Sequence, residues 1–292
     1  MDDDDLTHEP LLAQLHTSML PRRVEWYPEV GSTMDIARER LKQHDPQHIP
    51  LLVLTDVQTS GRGRRGRAWI TPPGSALLFS LALRPDWLPP ARVVTLVWMT
   101  GVAVCEAITA TTGLPARLKW PNDVLLRVGS HDSTAKIGGI ILESSCSASF
   151  TTSGENRAPT LISHIVWAII GCGLNINTSP PIDMGLRYPA TCLAEQLGRP
   201  VPRRPLMRMI LQRMDHWYSQ LYADKADELF ETWRGLLVTL GQTVEVETEQ
   251  GTIRGRAEDV GRDGRLHVRH HSGEIYMLSS GDVSGVRTRA SL

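Results

Sequence analysis

The segment best suited to chemistry is a glycine- and arginine-rich loop, Gly61-Arg62-Gly63-Arg64-Arg65-Gly66-Arg67. Its three glycines free the backbone to bend closely over a ligand. Its four guanidinium groups supply forked donors for carboxylate or phosphate oxygens. Gln58 and Trp69 flank the loop and add an amide and a flat aromatic surface. The loop predicts a site for an acid or a phosphorylated ligand, with an RNA contact or a solvated basic loop as alternatives.

Two common glycine-rich nucleotide motifs fit this loop poorly. The phosphate-binding motif G-x-x-x-x-G-K-[ST] ends in a lysine and a hydroxyl residue, and neither follows Gly66. The spacing Gly61-x-Gly63-x-x-Gly66 matches the dinucleotide pattern, but Trp69 and Thr71-Pro72-Pro73-Gly74 follow where that pattern needs a helix. The loop therefore predicts neither a P-loop kinase nor a dinucleotide-binding domain.

Two lysines stand where a sheet could present them to the same ligand. Lys119 begins Lys119-Trp120-Pro121-Asn122-Asp123, at a strand end before a turn that Pro121 restricts. Lys136 opens the next apolar strand, which runs to Glu143. An ammonium group at either position could stabilise the negative charge that develops when a carboxylate attacks a phosphate. Most lysines are surface residues, so only the combination with the arginine loop makes these two candidates.

Glycines interrupt two of the apolar strands. Gly138 and Gly139 lie in the strand that Lys136 opens, and Gly171 and Gly173 lie in a second strand. Because an interior glycine has no side chain, something can lie close to the backbone at these positions. Either a flat ligand or a closely packed helix would explain the pattern.

The remaining pattern predicts a mixed β-sheet with helices, an α/β (α+β) fold. Strands are predicted at 24–27, 51–57, 76–83, 117–120, 124–128, 137–143 and 164–170. Helices are predicted from three- and four-residue apolar spacing at about 34–41, 91–111, 204–222 and 225–234. Ser32 and Asp35 resemble a capping box for the first helix. The polar stretch 144–163 is expected to form a long exposed hairpin connection.

The last part of the chain has a different pattern. After Gly241 short alternating strands are separated by tight-turn signals at 249–251, 263–264 and 272–273, with no helical period. This predicts a separate small barrel-like domain from about Leu237 to Leu292.

Composition narrows the class of protein. With 292 residues, 41% of them hydrophobic, the chain can bury a sizeable core. Its formal net charge of -1, from 31 basic and 32 acidic residues, provides no overall field to collect nucleic acid or anionic membrane. The most apolar stretch, Val93–Cys105, is shorter than the roughly 20 residues of a membrane span and predicts a buried helix. The start, Met1–Asp5, lacks the features of a signal peptide, so a cytoplasmic location is expected.

No side-chain motif for a metal is found. The chain has four cysteines with no C-x-x-C pair, so neither zinc nor disulfide bonds are expected: Cys105, Cys146, Cys172 and Cys192. Three histidines near the C-terminus are poorly spaced for metal ligation and are expected to be exposed or packed: His267, His270 and His271.

The ordered set of motifs resembles the biotin protein ligases. The motifs are Gly31-Ser32-Thr33, Gln58 with the arginine loop and Trp69, 119–123, 136–143 and 171–177. Five motifs in this order and spacing are hard to obtain by chance, and they cover roughly Val24 to Asn177. The resemblance implies an acidic N-terminal extension at 1–23, a catalytic α/β domain at 24–236 and an SH3-like β-barrel domain at 237–292.

The resemblance also implies roles for individual residues, with Lys136, Arg64 and Lys119 as the catalytic ones. The residues implied to contact biotin are Ser32, Thr33, Met34, Gln58, Arg62, Gly63, Arg64, Lys136, Gly138 and Gly139. The residues implied to contact ATP and the adenylate are Gly61, Arg65, Arg67, Trp69, Asn122, Asp123, Gly171, Gly173 and Asn175. Met34 stands where the family often has Asn, so a side-chain amide contact is missing there.

The implied reaction has two steps. Biotin's carboxylate attacks the α-phosphate of ATP, with Mg²⁺ as the metal, to give biotinyl-5′-AMP and pyrophosphate. A lysine of a biotin carboxyl carrier domain, as in acetyl-CoA carboxylase or related biotin enzymes, then takes the biotinyl group. Positive charge from Lys136, Lys119 and the loop arginines would stabilise the transition state. Many members of the family also bind DNA through an N-terminal module, but only 23 residues precede Val24, so no DNA binding is expected.

Two alternatives remain open. A lipoate or octanoate ligase or transferase would share the fold and also modify a carrier lysine, although such ligases usually carry a different arginine-rich segment with Gly-Gly. The transferases need a reactive cysteine, and Cys172 has no basic residue near it in sequence to lower its pKa. The alternative of a different class is an RNA-binding protein that uses the arginine loop, which the near-neutral charge and 5% aromatic content disfavour.

Overall fold

A computed structural model describes residues 4–43, 49–128, 133–151, 160–180, 189–248 and 251–285, with the backbone alone at 8, 149–151 and 160–162. Its helices are α1 (His8–Leu12), α2 (Thr33–Lys42), α3 (Thr95–Thr112), α4 (Leu193–Leu197), α5 (Arg203–Tyr222) and α6 (Ala226–Leu236). Its first seven strands are β1 (Arg23–Val30), β2 (Leu51–Gln58), β3 (Ala76–Leu83), β4 (Ala116–Lys119), β5 (Asp123–Arg127), β6 (Thr134–Thr151) and β7 (Thr160–Asn175). Five shorter strands follow, β8 (Thr243–Thr248), β9 (Gly251–Val260), β10 (Leu266–Arg269), β11 (Ile275–Leu278) and β12 (Asp282–Gly285).

The first seven strands form one mixed sheet. Their order is β1-β2-β3-β7-β6-β5-β4, with β1 and β2 parallel and the other neighbours antiparallel. β3 is buried at every residue, which explains why it is an unbroken apolar run without alternation. The arginine loop joins β2 to β3, so both of its ends are fixed in the middle of the sheet.

Helices cover both faces of this sheet. On one face the main hydrophobic core gathers side chains from the sheet and from α3, α5 and α6. On the other face α2 contributes Met34, Ala37 and Leu41 to a smaller cluster with residues of β2 and β7. The segment Pro90–Thr112, which contains α3, is apolar and long enough to cross a bilayer, but 67% of its most apolar window is buried inside the protein. The apolar composition of α3 is therefore that of a core helix.

The last five strands form a separate antiparallel sheet with the order β11-β10-β9-β8-β12. Trp120 connects this sheet to the first one. Its backbone N–H donates to Thr239 Oγ1 over 3.0 Å, and its indole N–H donates to the carbonyl oxygen of Gly264 over 2.9 Å. Since the indole is buried and its N–H is bonded, the motif residue Trp120 fixes the small sheet beside the turn that follows Lys119.

The N-terminal segment packs on α5. Asp215 of α5 accepts hydrogen bonds from the backbone N–H groups of Ser18, Met19 and Leu20, at 2.8, 2.6 and 2.7 Å. Nearer the N-terminus, the backbone N–H of Arg203 donates to the carboxylate of Asp4 over 3.0 Å. These contacts join parts of the chain that are almost 200 residues apart, so this segment belongs to the folded body of the protein.

The structure confirms the predicted strands and four long helices, with shifts at their ends, and corrects two expectations. Ser32 begins α2 but its side chain caps nothing, and Asp35 binds arginines instead, so the predicted capping box is wrong. The stretch 144–163 is not only a connection, because β6 and β7 stay paired as far as Thr151 and Thr160; the remaining residues 152–159 lie outside the described part of the chain. The sequence patterns also missed the short helices α1 and α4.

Candidate active site

The register of the large sheet brings the sequence motifs to one end of it. Asn175 of β7 pairs with Ala76, where the chain returns from the arginine loop into β3. Gly139 of β6 pairs with Gly173 on one side and with Asp123 on the other. Motifs that are distant in sequence therefore lie in one row across β3, β7, β6 and β5.

A cavity of about 470 Å³ opens at this end of the sheet, beneath the arginine loop. Seventeen of the predicted site residues line it: Ser32, Thr33, Met34, Gln58, Arg62, Gly63, Arg64, Arg67, Trp69, Lys119, Asn122, Asp123, Lys136, Gly139, Gly171, Gly173 and Asn175. The cavity wall combines apolar surface with many polar and charged side chains, which suits a small organic ligand that has both apolar and charged parts.

Three predicted site residues, Gly61, Arg65 and Gly138, do not line the cavity. A Cβ atom on Gly61 would lie 2.3 Å from the carbonyl oxygen of Trp69, so this glycine lets the two ends of the loop meet. A Cβ atom on Gly138 would lie 2.3 Å from Leu174 Cδ2, so close packing explains that glycine, although a neighbouring strand supplies the contact and not a helix. Arg65 has a left-handed backbone, with φ of 56°, and turns away from the cavity.

One end of the cavity presents buried hydroxyl and amide groups. The backbone N–H of Thr33 donates to Gln58 Oε1 over 2.9 Å, and its Oγ1 atom lies 2.8 Å from Ser80 Oγ. Ser32, Thr33 and Ser80 are all at least 97% buried. Because β2, β3 and the start of α2 hold these groups together, they are fixed in place before any ligand arrives. Hydroxyl and amide groups of this kind can both donate and accept hydrogen bonds, as a cyclic urea would require.

The glycines of β7 accommodate large side chains of the protein itself. A Cβ atom on Gly171 would lie 2.7 Å from Met34 Sδ, and one on Gly173 would lie 2.8 Å from the Trp69 indole. Of the two explanations for these glycines, a closely packed helix holds at Gly171, because Met34 belongs to α2, whereas the loop residue Trp69 fills the space at Gly173. Both side chains in turn form cavity walls. The indole N–H of Trp69 is buried and has no hydrogen-bond partner among the described residues.

The first two arginines of the loop have different partners. Arg62 donates two hydrogen bonds to the carboxylate of Asp35, at 2.9 and 2.7 Å, and the contact is at the protein surface. Arg64 turns inward and donates to Asn122 Oδ1 over 3.0 Å. Burial lowers the pKa of Arg64 from its ordinary value, because the charged guanidinium is partly removed from water. Its cationic group therefore faces the cavity, and its hydrogen-bond partner among the described residues, Asn122, is neutral.

The last two arginines of the loop reach the C-terminal sheet. Arg67 forms an ion pair with Asp282, and Arg65 lies 3.7 Å from the same carboxylate. Arg65 also donates to the carbonyl oxygen of Glu247 over 3.2 Å. Asp282 stands at the start of β12 and lines the cavity together with its neighbours Gly281 and Val283. The C-terminal sheet thus closes one side of the site and anchors the loop.

The opposite end of the cavity carries positive charge. Lys136 Nζ lies 2.5 Å from Asp123 Oδ1 and 5.9 Å from the centre of the Trp69 ring. Burial lowers the pKa of Lys119 to about 8, and repulsion from Lys136 and Arg67 adds to the effect. Charged groups collected in a poorly solvated site interact strongly with an anion, so this end is suited to phosphate and carboxylate oxygens.

Cys172, which also lines the cavity, is a poor nucleophile. Burial raises the pKa of its thiol far above the ordinary value, and no positive charge offsets the effect. Since the thiolate is the reactive form, this cysteine cannot supply the covalent intermediate that a transferase needs.

Sequence reasoning missed several residues of the site. Asp35 and Asp282 hold the arginine loop from two sides. The sequence pattern places Asp35 in a capping box and gives Asp282 no role, because an isolated acidic residue predicts nothing about its partner. The sequence pattern also gave no sign that three apolar strand residues line the cavity: Phe79, Ile141 and Cys172. Only the alternation within β6 could have placed Ile141 on the same face as Gly139.

Comparison with known protein families identifies two matches along the chain. Residues 26–153 match the Biotin/lipoate A/B protein ligase family, and residues 239–285 match the Biotin protein ligase C terminal domain. The first family covers both biotin and lipoate enzymes, whereas the second is specific to biotin. The two matches fall on the large and the small sheet, respectively.

Individual relatives agree with these matches. The chain is 27% identical over 270 residues to the bifunctional ligase/repressor BirA of Bacillus subtilis, covering 92% of this chain and 76% of BirA. It is 28% identical over 280 residues to the biotin-[acetyl-CoA-carboxylase] ligase of Mycobacterium tuberculosis, covering 91% and 90% of the two chains. The structure resembles that of biotin protein ligase from Aquifex aeolicus in complex with biotin and ATP, with a TM-score of 0.68, 26% identity, and coverage of 90% and 97%.

Proposed function

We propose that this chain, which belongs to the biotin protein ligase family, activates biotin with ATP and transfers it to a lysine of a carrier protein. One observation carries the proposal: a single cavity has buried hydroxyl groups and a half-buried amide at one end and converging cationic groups at the other. Biotin has the matching chemistry, with a polar cyclic urea at one end and a carboxylate at the other.

The biotin ring binds at the polar end. Ser32, Thr33 and Gln58 provide donors and acceptors for the cyclic urea, and Met34 offers a polarisable apolar surface to the rest of the ring. The carboxylate then extends toward Lys136 and Arg64. An enzyme that holds the acid in this way brings it to ATP in a fixed orientation, which by itself lowers the barrier to reaction.

The first step forms a bond between a carboxylate oxygen of biotin and the α-phosphorus of ATP. It breaks the bond from that phosphorus to the oxygen that bridges the α- and β-phosphates, and this oxygen leaves with pyrophosphate. Negative charge accumulates on the α-phosphate oxygens during this exchange. Lys136, Lys119 and Arg64 stabilise that charge without a covalent enzyme intermediate. Trp69 and Asn175 lie on the nucleotide side, where the indole provides a flat stacking surface.

The divalent cation enters with the nucleotide as Mg²⁺-ATP. Among the described residues, two carboxylates line the cavity, but Asp123 is paired with Lys136 at 2.5 Å and Asp282 is paired with Arg67. No cluster of three or more metal-ligating side chains occurs within the ranges that the structure describes. The phosphates of ATP supply the principal ligands, as is common for Mg²⁺ in nucleotide sites.

In the second step an unprotonated lysine amine of the carrier attacks the acyl carbon of biotinyl-5′-AMP, and AMP leaves. The carrier that we propose is a biotin carboxyl carrier domain, as in acetyl-CoA carboxylase, and the reaction takes place in the cytoplasm. We further propose that residues 24–236 form the catalytic domain and 237–292 the C-terminal domain. The contact of Asp282 with the arginine loop supports a role for the second domain in catalysis.

A lipoate or octanoate enzyme is the nearest competing function. Cys172 argues against a transferase because its thiol is buried and its pKa is raised. The match at residues 239–285 argues for biotin over lipoate, since it is specific to biotin protein ligases.

The experiment is to incubate the purified chain with Mg²⁺-ATP, an apo biotin carboxyl carrier domain, and radiolabelled biotin, lipoate or octanoate in separate reactions. The proposal predicts pyrophosphate release and carrier labelling with biotin alone. A carrier whose acceptor lysine is replaced by arginine serves as the control and should stay unlabelled. Labelling by octanoate or lipoate in preference to biotin would contradict the proposal.

A further inference from the structure

Asp35 connects the start of α2 to the arginine loop. It lies in the first turn of α2, directly after Ser32, Thr33 and Met34, which line the polar end. Its two carboxylate oxygens each accept a hydrogen bond from Arg62, the first arginine of the loop, at 2.7 and 2.9 Å. The start of α2 therefore lines the end of the cavity proposed for the biotin ring and also binds Arg62 of the arginine loop, which covers the cationic end.

We propose that Asp35 is a positioning residue: it holds the guanidinium group of Arg62 at the mouth of the cavity, over the activated acid. This inference rests on the proposed function and extends it to a residue outside the cavity lining. Without Asp35, the guanidinium group loses both of these hydrogen bonds and can turn away from the cavity, while the loop backbone stays bridged between Arg62 and Ala68.

The geometry of the Asp35–Arg62 contact indicates that Asp35 positions Arg62 and that the contact is not accidental. A paired, two-point hydrogen bond fixes both the distance and the plane of a guanidinium group, which a single contact does not. Arg38 also donates to Asp35 over 2.6 Å, and it pairs with Glu143 of β6 on its other side. The hydrogen bonds from Arg62 and Arg38 lower the pKa of Asp35, so the carboxylate is ionised under ordinary conditions.

Solvent exposure of the Asp35–Arg62 pair limits how strongly Asp35 can affect retention of the activated acid. The side chains of Arg62 and Asp35 are 41% and 45% exposed, so water and salt screen their attraction. Exposed ion pairs change an equilibrium or a rate by roughly two- to fivefold. We therefore expect Asp35 to affect how long the activated acid is retained, and to have little effect on how fast it forms.

The test measures the rate at which biotinyl-5′-AMP, formed from biotin and Mg²⁺-ATP, dissociates from the full-length protein. Asp35→Asn is expected to release it roughly two- to fivefold faster than wild type at low salt, and the difference should shrink as ionic strength rises. Asp35→Glu, which keeps the carboxylate, should restore part of the retention. Glu143→Gln is the comparison variant: it removes the other partner of Arg38 and a charge that acts on Arg62, but no hydrogen bond to Arg62, so its effect should be smaller than that of Asp35→Asn.

A double variant separates positioning from a general loss of stability. If Asp35 acts through Arg62, then Asp35→Asn combined with Arg62→Gln should release the adenylate no faster than Arg62→Gln alone. Additive effects, unchanged release by Asp35→Asn, or slower release would each overturn the inference. Failure of the wild-type protein to form the adenylate would instead contradict the proposed function, so the two ideas fail in different ways.

Discussion

Replacing two glycines of β7 tests which part of the cavity each substrate occupies. Gly173→Ala would place a Cβ atom 2.8 Å from Cε2 and Nε1 of Trp69, on the side proposed for the nucleotide. Gly171→Ala would place a Cβ atom 2.7 Å from Met34 Sδ, on the side proposed for the biotin ring. The two changes are chemically identical and are two residues apart on one strand, so each is the control for the other.

The expected magnitudes follow from how far each neighbour must move. Both contacts are well inside the 3.4 Å at which ordinary Cβ contacts begin. The indole of Trp69 is rigid, and overpacking of this kind costs about 1–3 kcal/mol, which is roughly 5- to 150-fold in affinity. Met34 is flexible and can adopt another rotamer, so about 1 kcal/mol, or roughly fivefold, is expected at that position.

The assay is isothermal titration of each purified variant with biotin and, separately, with a non-hydrolysable ATP analogue, with melting temperatures measured in parallel. Gly173→Ala should weaken nucleotide binding and leave biotin binding within about twofold of wild type. Gly171→Ala should do the reverse. If both variants weaken both ligands equally, or if neither changes either ligand, the proposed division of the cavity is wrong.

Four further predictions concern single residues. Lys136→Ala should slow biotin-dependent pyrophosphate release by about 100-fold without lowering the melting temperature, because the ammonium group supplies charge and little packing; an unchanged rate would refute this role. Burial lowers the pKa of Lys119 to about 8, so its positive charge is present below that pH and is lost above it. The rate of adenylate formation should therefore fall as pH rises through about 8, and Lys119→Arg should move this fall to higher pH. An identical pH–rate profile for the variant would show that Lys119 does not cause the fall. Asp282→Asn should raise the KM for ATP by roughly two- to fivefold at low salt, since Arg67 and Arg65 lose a shared carboxylate partner. Ser284→Ala, on the same strand, is the control and should leave the KM unchanged. Equal effects of the two variants would show that Asp282 does not anchor the arginine loop. Asp215→Ala leaves three backbone N–H groups of the N-terminal segment without their acceptor. It should lower the free energy of unfolding, measured in urea, by about 3 kcal/mol and leave the KM values unchanged. A stability equal to wild type would show that the N-terminal segment does not need the hydrogen bonds to Asp215.

The elements of the fold were predictable because their sequence patterns are local. β3 is an unbroken apolar run, and α5 repeats apolar residues at helical spacing, so each could be identified without knowing its neighbours. The short helices α1 and α4 have only five residues each, which is too short for a period to be visible. The docking of the N-terminal segment on Asp215 depends on a partner almost 200 residues away, and no local pattern indicates it.

The residues of the candidate site could be predicted where reactive side chains lie close together in a sequence motif. The arginine loop, Lys119 and Lys136 stand out by residue type, and the sheet register then brings them together. Their individual partners could not be predicted, because four similar arginines in one loop gave no sign that Arg62 pairs with Asp35, that Arg64 bonds Asn122, or that the last two share Asp282. The glycines Gly171 and Gly173 were rightly identified as places of close approach, but the approaching groups are Met34 and Trp69.

The central claim is that one cavity joins biotin to AMP and keeps the product bound. The most direct measurement is native mass spectrometry of the purified chain after incubation with biotin and Mg²⁺-ATP and rapid removal of free ligands. We expect a complex that carries one biotinyl-5′-AMP and that loses it when an apo carrier domain is added, with biotin appearing on the carrier lysine. Protein that carries no adenylate, while pyrophosphate stays at background with biotin present, would show that the chain does not activate biotin.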